Sequence, residues 1–124
     1  MKNYTNAELG RLDDIGEKYE NGKAFLHDLL SLSSCEISVS AMPKGAKLPF
    51  KHKHKQNEEI YIFLKGEGVM TLGDNNLEFK EGSCIKLLPN ESRTIEAKTD
   101  ILYICVQAKT NSLQQFGLED AELC

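Results

Sequence analysis

Long apolar segments are missing from this 124-residue chain, and several classes of protein are excluded with them. No run approaches the roughly 20 apolar residues that a membrane-spanning helix needs, so we expect no membrane association. The first ten residues contain no apolar core typical of a secretory signal, and the four cysteines form no C-x-x-C pair. We therefore expect free thiols, no disulfide framework and a cytoplasmic location.

An excess of basic residues is also missing. Lys and Arg number 15 against 19 Asp and Glu, which gives a formal net charge of −4. Because nucleic-acid affinity depends on neutralising phosphates, this balance argues against DNA or RNA as a partner. The length and the ordinary content of hydrophobic residues, 40%, indicate a single globular domain.

The sequence contains neither internal repeats nor the alternation of helix and strand patterns typical of α/β proteins. Instead, short segments of alternating apolar and polar residues are separated by turn sequences such as Gly73–Asn76. About seven short strands in this arrangement predict an all-β sandwich or barrel. The predicted strands cover residues 35–42, 59–64, 69–72, 77–79, 83–88, 93–97 and 101–108.

We divide the chain into an N-terminal arm (1–22), a barrel (23–108) and a C-terminal tail (109–124). In the arm, Thr5–Glu8 has the form of a capping box, and apolar residues follow at spacings of three. This pattern predicts one short helix or strand packed on the barrel or on a partner. In the barrel, we interpret 23–30 as a strand with a structural or surface His27, and 35–42 as a half-buried strand.

The run Lys51–Lys55 alternates lysine and histidine. In extended backbone, this period of two places His52 and His54 on one face and the lysines on the other. Glu59 follows five residues after His54 and opens the next predicted strand. Two imidazoles and a carboxylate at short range are typical ligands of a divalent metal ion. The alternative is an exposed basic edge in which the histidines have no role.

The segment Gly45–Gly66 resembles the first cupin motif, G-x5-H-x-H-x(3,4)-E-x6-G, with one extra residue before His52. The resemblance covers about residues 35–108 and implies a double-stranded β-helix, or jelly-roll, barrel. It also implies that His52, His54, Glu59 and a later histidine hold one metal ion inside the barrel, with iron, manganese, zinc and nickel as the candidates. Cys84 or Cys105 is a further alternative ligand, if one of them faces the cavity.

The second cupin motif, G-x5-P-x-G-x2-H-x3-N, is degenerate in this chain. Counting from Gly82 places Arg93 at the histidine position, whereas counting from Pro89 places Thr94 there. A guanidinium stays protonated and offers no lone pair to a metal. Two hypotheses follow. In the first, three protein ligands hold the metal and Arg93 lies near its open positions, where it clamps a carboxylate or phosphate. In the second, no metal binds and Arg93 pairs with Glu59 in a small-molecule cavity.

The predicted strand 59–64 is apolar on both faces. Glu59, Tyr61 and Phe63 share the face that we assign to the barrel interior. The opposite face needs a cover from the arm, the tail or a second subunit, so we expect a homodimer. The same alternation predicts that Tyr61, Phe63 and Tyr103 line the cavity and, with Arg93, bind substrate, with ordinary core packing as the alternative.

Three functions are compatible with these residues. The first is a metal-binding cupin whose reaction, with a small polar or anionic molecule, is an oxygenation, isomerisation or decarboxylation. No separate catalytic base stands out, so the sequence assigns no catalytic residue and leaves open whether the protein is an enzyme. The second is a non-catalytic cupin, with or without a metal, that binds a small ligand as a dimer. The third is a closed, packed barrel in which the histidines only contact Glu59.

Overall fold

The computed structural model describes residues 3–124, so the first two residues of the predicted arm lie outside the described residues. Within these residues, two short α-helices, α1 (Ile15–Lys18) and α2 (Leu26–Leu30), accompany eight strands. No helix in the described part of the chain is long and apolar enough to cross a membrane. The strands are β1 (Lys23–Phe25), β2 (Glu36–Met42), β3 (Asn57–Lys65), β4 (Gly68–Leu72), β5 (Asn75–Phe79), β6 (Cys84–Leu87), β7 (Arg93–Ala97) and β8 (Ile101–Lys109).

The strands form two antiparallel sheets, with the orders β1-β2-β8-β3-β6 and β5-β4-β7. Residues 45–52 run beside β7 as a broken extra strand. Gly45 N donates to Ala97 O at 2.8 Å at one end of this segment, and His52 N donates to Arg93 O at 3.2 Å at the other. The two sheets face each other, as in a double-stranded β-helix, and the prediction of an all-β jelly-roll barrel is confirmed.

The main core lies between the two sheets and is rich in aromatic residues. Phe63 and Phe79 stack with their ring centroids 3.7 Å apart, and both are almost completely buried. Gly66 follows β3 with a φ of +83°, and a side chain there would collide with the backbone of Asp100. Glycine at this motif position therefore permits both the turn and the close approach of the chain.

The N-terminal arm forms a second layer outside the five-stranded sheet. Ile15 is completely buried there, against Val39 and Leu102. The prediction of one short helix in the arm is confirmed, but the capping box is wrong, because no helix begins at Thr5. Gly10 adopts a φ of +83°, which is incompatible with a right-handed helix, so helical structure starts only with a 3₁₀ turn two residues later.

Two other local predictions need correction. The segment 23–30 is a strand only as far as Phe25, where the pairing of β1 with β2 ends after three residues. Helix α2 follows directly from Leu26. Strand β2 is covered on both faces, whereas the sequence predicts a half-buried strand. Ser38 and Ser40 face the barrel interior, and Val39 faces the arm, which supplies the second cover.

Candidate metal centre

The Lys51–Lys55 segment has the alternation that the sequence predicts. All three of its lysines are exposed, whereas His52 and His54 are half-buried. The segment is nevertheless not a regular strand, because only His52 forms a bridge, with Arg93 on β7. Backbone hydrogen bonds fix its end, where Asn90 N donates to His54 O at 2.8 Å.

The three predicted ligands come together at one end of the barrel. One ligating atom each from His52, His54 and Glu59 lies within 4.8 Å of the other two. His54 Nε2 is 3.1 Å from Glu59 Oε2, and the two imidazole rings are perpendicular, with centroids 5.4 Å apart. Glu59 is only 3% exposed. A buried carboxylate next to two half-buried imidazoles is a donor set suited to a divalent ion.

Two neutral donors hold the carboxylate of Glu59. The Tyr61 hydroxyl donates to Oε1 at 3.0 Å, and the Cys105 thiol donates to Oε2 at 3.4 Å. Tyr61 and Cys105 are direct partners in the β3–β8 register, so their side chains point to the same side of the sheet. Such donors orient a carboxylate and leave it lone pairs for a metal. The sequence marks Cys105 only as an alternative ligand, and the register is what reveals its contact with Glu59.

Arg93 is the residue of the degenerate second motif that faces the barrel interior. It exchanges two backbone hydrogen bonds with His52, at 3.0 and 3.2 Å, and residues paired in this way point to the same side. Its Nη1 lies 3.6 Å from Glu59 Oε1, and the side chain is completely buried. Thr94 has the opposite orientation, and its hydroxyl donates to Leu48 O at 3.3 Å.

The guanidinium of Arg93 has unusual surroundings. Within the described residues, none of its three nitrogen atoms has a hydrogen-bond partner. Buried donors of this kind are rare, and a charged one costs more than a neutral one. The carboxylate of Glu59 is therefore the group that offsets this buried positive charge, at a distance longer than a hydrogen bond.

A cavity of about 190 Å³ opens over the cluster. Tyr61 and Tyr103 line it, as the alternation of their strands predicts. Phe63 and Arg93 do not line it: Phe63 is packed in the core, and Arg93 lies behind the cavity wall. The sequence reasoning missed Lys23, which lines the cavity because β1 is the edge strand of the sheet. No local pattern marks this lysine.

Burial sets the protonation of the groups around the cluster. Desolvation, followed by the charge of Arg93, lowers the pKa of His52 from its ordinary 6.5, which favours the neutral imidazole with a free lone pair. Burial also raises the pKa of Tyr103 to about 12. Burial, helped by the nearby Glu59 carboxylate, raises that of Cys105 to about 12. Burial raises the pKa of Tyr61 as well. Tyr61 and Cys105 therefore both stay protonated, and both donate hydrogen bonds to Glu59.

A solved cupin protein from Bacteroides fragilis is 33% identical to this chain, with a TM-score of 0.88 over 100% of this chain and 99% of the other. This chain belongs to the cupin family. The solved structure of a predicted oxalate decarboxylase from Thermotoga maritima is 29% identical to our cupin, with a TM-score of 0.56, over 59% of this chain and 64% of the other.

An uncharacterized protein of Methanocaldococcus jannaschii is 38% identical to the cupin over 60 residues, or 48% of this chain. The match covers 47% of the archaeal protein, so the cupin spans about half the length of this curated relative. No family model matches the chain.

The residues of this cupin fit a divalent ion with three protein ligands. Two imidazoles and an oriented carboxylate are present, and the fourth position that the family motif implies is occupied by a cationic side chain. The metal-free hypothesis requires that Arg93 pair with Glu59, and the two side chains are close enough to interact electrostatically. A metal and Arg93 need not approach the same oxygen atom of Glu59, because Arg93 lies near Oε1 whereas His54 lies near Oε2.

Proposed function

We propose that this protein is a metal-binding cupin that holds one divalent ion on His52, His54 and Glu59 and binds a small polar or anionic molecule beside it. The observation that carries the proposal is the clustering of the three ligating atoms within 4.8 Å at the wall of a cavity. When bound, the ion supplies Lewis acidity and a template for a chelating substrate. Iron, manganese, zinc and nickel all suit this donor set.

The protein's own groups orient the ligands and shape the cavity. Tyr61 and Cys105 hold the carboxylate of Glu59, and Tyr103 forms part of the wall. The raised pKa values keep these three groups protonated at neutral pH, so they serve as hydrogen-bond donors and not as bases. The similarity to the predicted oxalate decarboxylase supports a small acid as the bound molecule, and the cavity of about 190 Å³ suits that size.

Elemental analysis tests the metal proposal. The wild type, without a His-tag and purified without chelators, should carry close to one equivalent of iron, manganese, zinc or nickel. The double variant His52→Ala/His54→Ala should lose it, because two of three ligands are removed. The matched control is His27→Ala, whose side chain is exposed and is not one of the three clustered ligands, and this variant should keep the metal. Equal metal content in the wild type and the double variant would refute the proposal.

A metal-free ligand-binding module is the second candidate, and the 3.6 Å approach of Arg93 to Glu59 favours it. In this alternative, Arg93 supplies the positive charge of the site. The wild type would then contain no metal even after reconstitution with each of the four ions. It would still show an increase in melting temperature with small acids, by mass action on the folded state.

We also propose that the protein is a cytoplasmic homodimer. The outer face of the five-stranded sheet supports the dimer, because Ile60 pairs with Val106 and Ile62 with Ile104, and all four are half-buried. A second copy could cover this face by two-fold symmetry. Light scattering should give twice the monomer mass, and Ile62→Glu should give the monomer mass. A monomeric wild type at micromolar concentration would exclude the dimer.

The four free cysteines support the cytoplasmic location, because thiols stay reduced in that compartment.

A further inference from the structure

The buried positive charge of Arg93 loses its compensation when a metal ion binds to Glu59. The guanidinium is completely buried, donates no hydrogen bond within residues 3–124, and has the Glu59 carboxylate 3.6 Å away. A metal ion on Glu59 takes the negative charge that offsets Arg93. Both cations then compete for one carboxylate in a site that is poorly screened by water.

The other charged groups at the cavity do not compensate the positive charge of Arg93 after a metal ion has bound. Lys23 and Glu36 line it with opposite charges, and Glu36 already accepts a hydrogen bond from His27 N at 3.1 Å. The charges of Lys23, Glu36, Glu59 and Arg93 therefore cancel before a metal binds. A divalent ion leaves the half-buried site with two uncompensated positive charges, whereas a neutral side chain at position 93 would leave one.

We infer, on the basis of the proposed function, that this protein binds its metal ion and a small chelating anion cooperatively, and that Arg93 is the residue that couples them. The anion supplies the negative charge that the metal ion takes from Arg93. Because Arg93 lies behind the cavity wall, its effect on the anion is electrostatic and requires no contact between them. Arg93 is thus a positioning residue of the site.

The chemical class of the anion follows from the open positions and the space. Three protein ligands leave positions open on the metal, so an anion with two adjacent oxygen donors can occupy two of them. The cavity of about 190 Å³ suits a small molecule. A small 2-hydroxy or 2-oxo carboxylate meets both requirements, because its carboxylate carries the charge and its second oxygen completes the chelate.

Manganese titrations with a charged and an uncharged probe test the inference. Free Mn²⁺ is counted by electron paramagnetic resonance in the presence of glycolate, of glycolamide or of neither, with the His52→Ala/His54→Ala variant as the blank. Glycolamide keeps the two oxygen donors but lacks the negative charge. In the wild type, glycolate should tighten Mn²⁺ binding about tenfold or more, and glycolamide should not. By linkage, Mn²⁺ should tighten glycolate binding by the same factor.

Substitutions at position 93 separate charge from shape. Arg93→Gln should bind Mn²⁺ more tightly than the wild type without anion, and the effect of glycolate should fall below about threefold. Arg93→Lys keeps the charge and should keep the coupling. If Arg93→Gln does not fold, Lys23→Gln replaces it and should reduce the glycolate effect, because it also removes a positive charge from the cavity.

The outcomes distinguish this inference from the proposed function. Mn²⁺ binding in the wild type that is equally tight with and without glycolate would overturn the coupling and leave the metal site intact. A glycolate effect that is unchanged in Arg93→Gln would overturn the role of Arg93. Absence of Mn²⁺ binding under every condition, together with no iron, zinc or nickel in the elemental analysis, would overturn the proposed function itself.

Discussion

Glu59 and Arg93 should be coupled in folding stability, and a double-mutant cycle measures that coupling. Glu59→Gln keeps the size of the side chain and leaves a buried guanidinium with no carboxylate to offset it. Removing one partner of a buried pair costs about 3–5 kcal/mol. Arg93→Met leaves a carboxylate that still accepts from Tyr61 and Cys105, so its cost should be smaller, about 1–2 kcal/mol.

The double variant Glu59→Gln/Arg93→Met removes both buried charges. Its destabilisation should therefore be smaller than the sum of the single effects by about 1–2 kcal/mol, in the range of coupling energies for residues in contact. The 3.6 Å separation and the absence of a hydrogen bond between the two side chains favour the lower part of that range.

Urea unfolding followed by far-ultraviolet circular dichroism provides the free energies, because the chain has no tryptophan to report by fluorescence. All samples contain EDTA, so that the protein's charges are compared without metal. The slope m should agree among the four proteins, which shows that the surface exposed on unfolding is unchanged. Effects that add to within about 0.5 kcal/mol would refute the reasoning that the two residues interact.

Three further predictions concern protonation and packing. Without metal, the free energy of unfolding should fall as the pH drops below about 6.5, because the unfolded chain binds a proton at His52 more readily than the folded protein. Subtracting the pH curve of His52→Asn from that of the wild type isolates this contribution. Identical curves for the two proteins would contradict the prediction. At pH 8, iodoacetamide should alkylate Cys105 far more slowly than the exposed Cys84, because burial raises the Cys105 pKa to about 12; peptide mass spectrometry over time checks this, and equal rates would refute it. Ile15→Ala should destabilise the fold by about 2–5 kcal/mol, whereas the control Leu12→Ala, 47% exposed, should have little effect in the same urea assay; equal effects would show that the arm is not packed as described.

Much of the fold follows from local pattern. The alternation along β3 depends on residues two positions apart, and it is observed: Glu59, Tyr61 and Phe63 are buried, and the residues between them are only half-buried. The prediction fails where a single residue or a neighbouring element overrides the pattern. Gly10, with its positive φ, interrupts the helix that the apolar spacing of the arm predicts, and the arm covers the face of β2 that contains Val39.

The three candidate ligands were predictable from the sequence, whereas the contacts of Arg93 and Cys105 with them were not. His52, His54 and Glu59 lie within eight positions of one another, so the sequence by itself determined that they would meet: period two sets the imidazoles on one face, and the motif spacing brings the carboxylate to them. Only the tertiary structure decided what surrounds them. Arg93 and Cys105 reach Glu59 through strand registers that join segments about 40 residues apart, and no local pattern records a register. These long-range pairings, set by the packing of whole sheets, decide the charge of the site and the donors that hold its carboxylate.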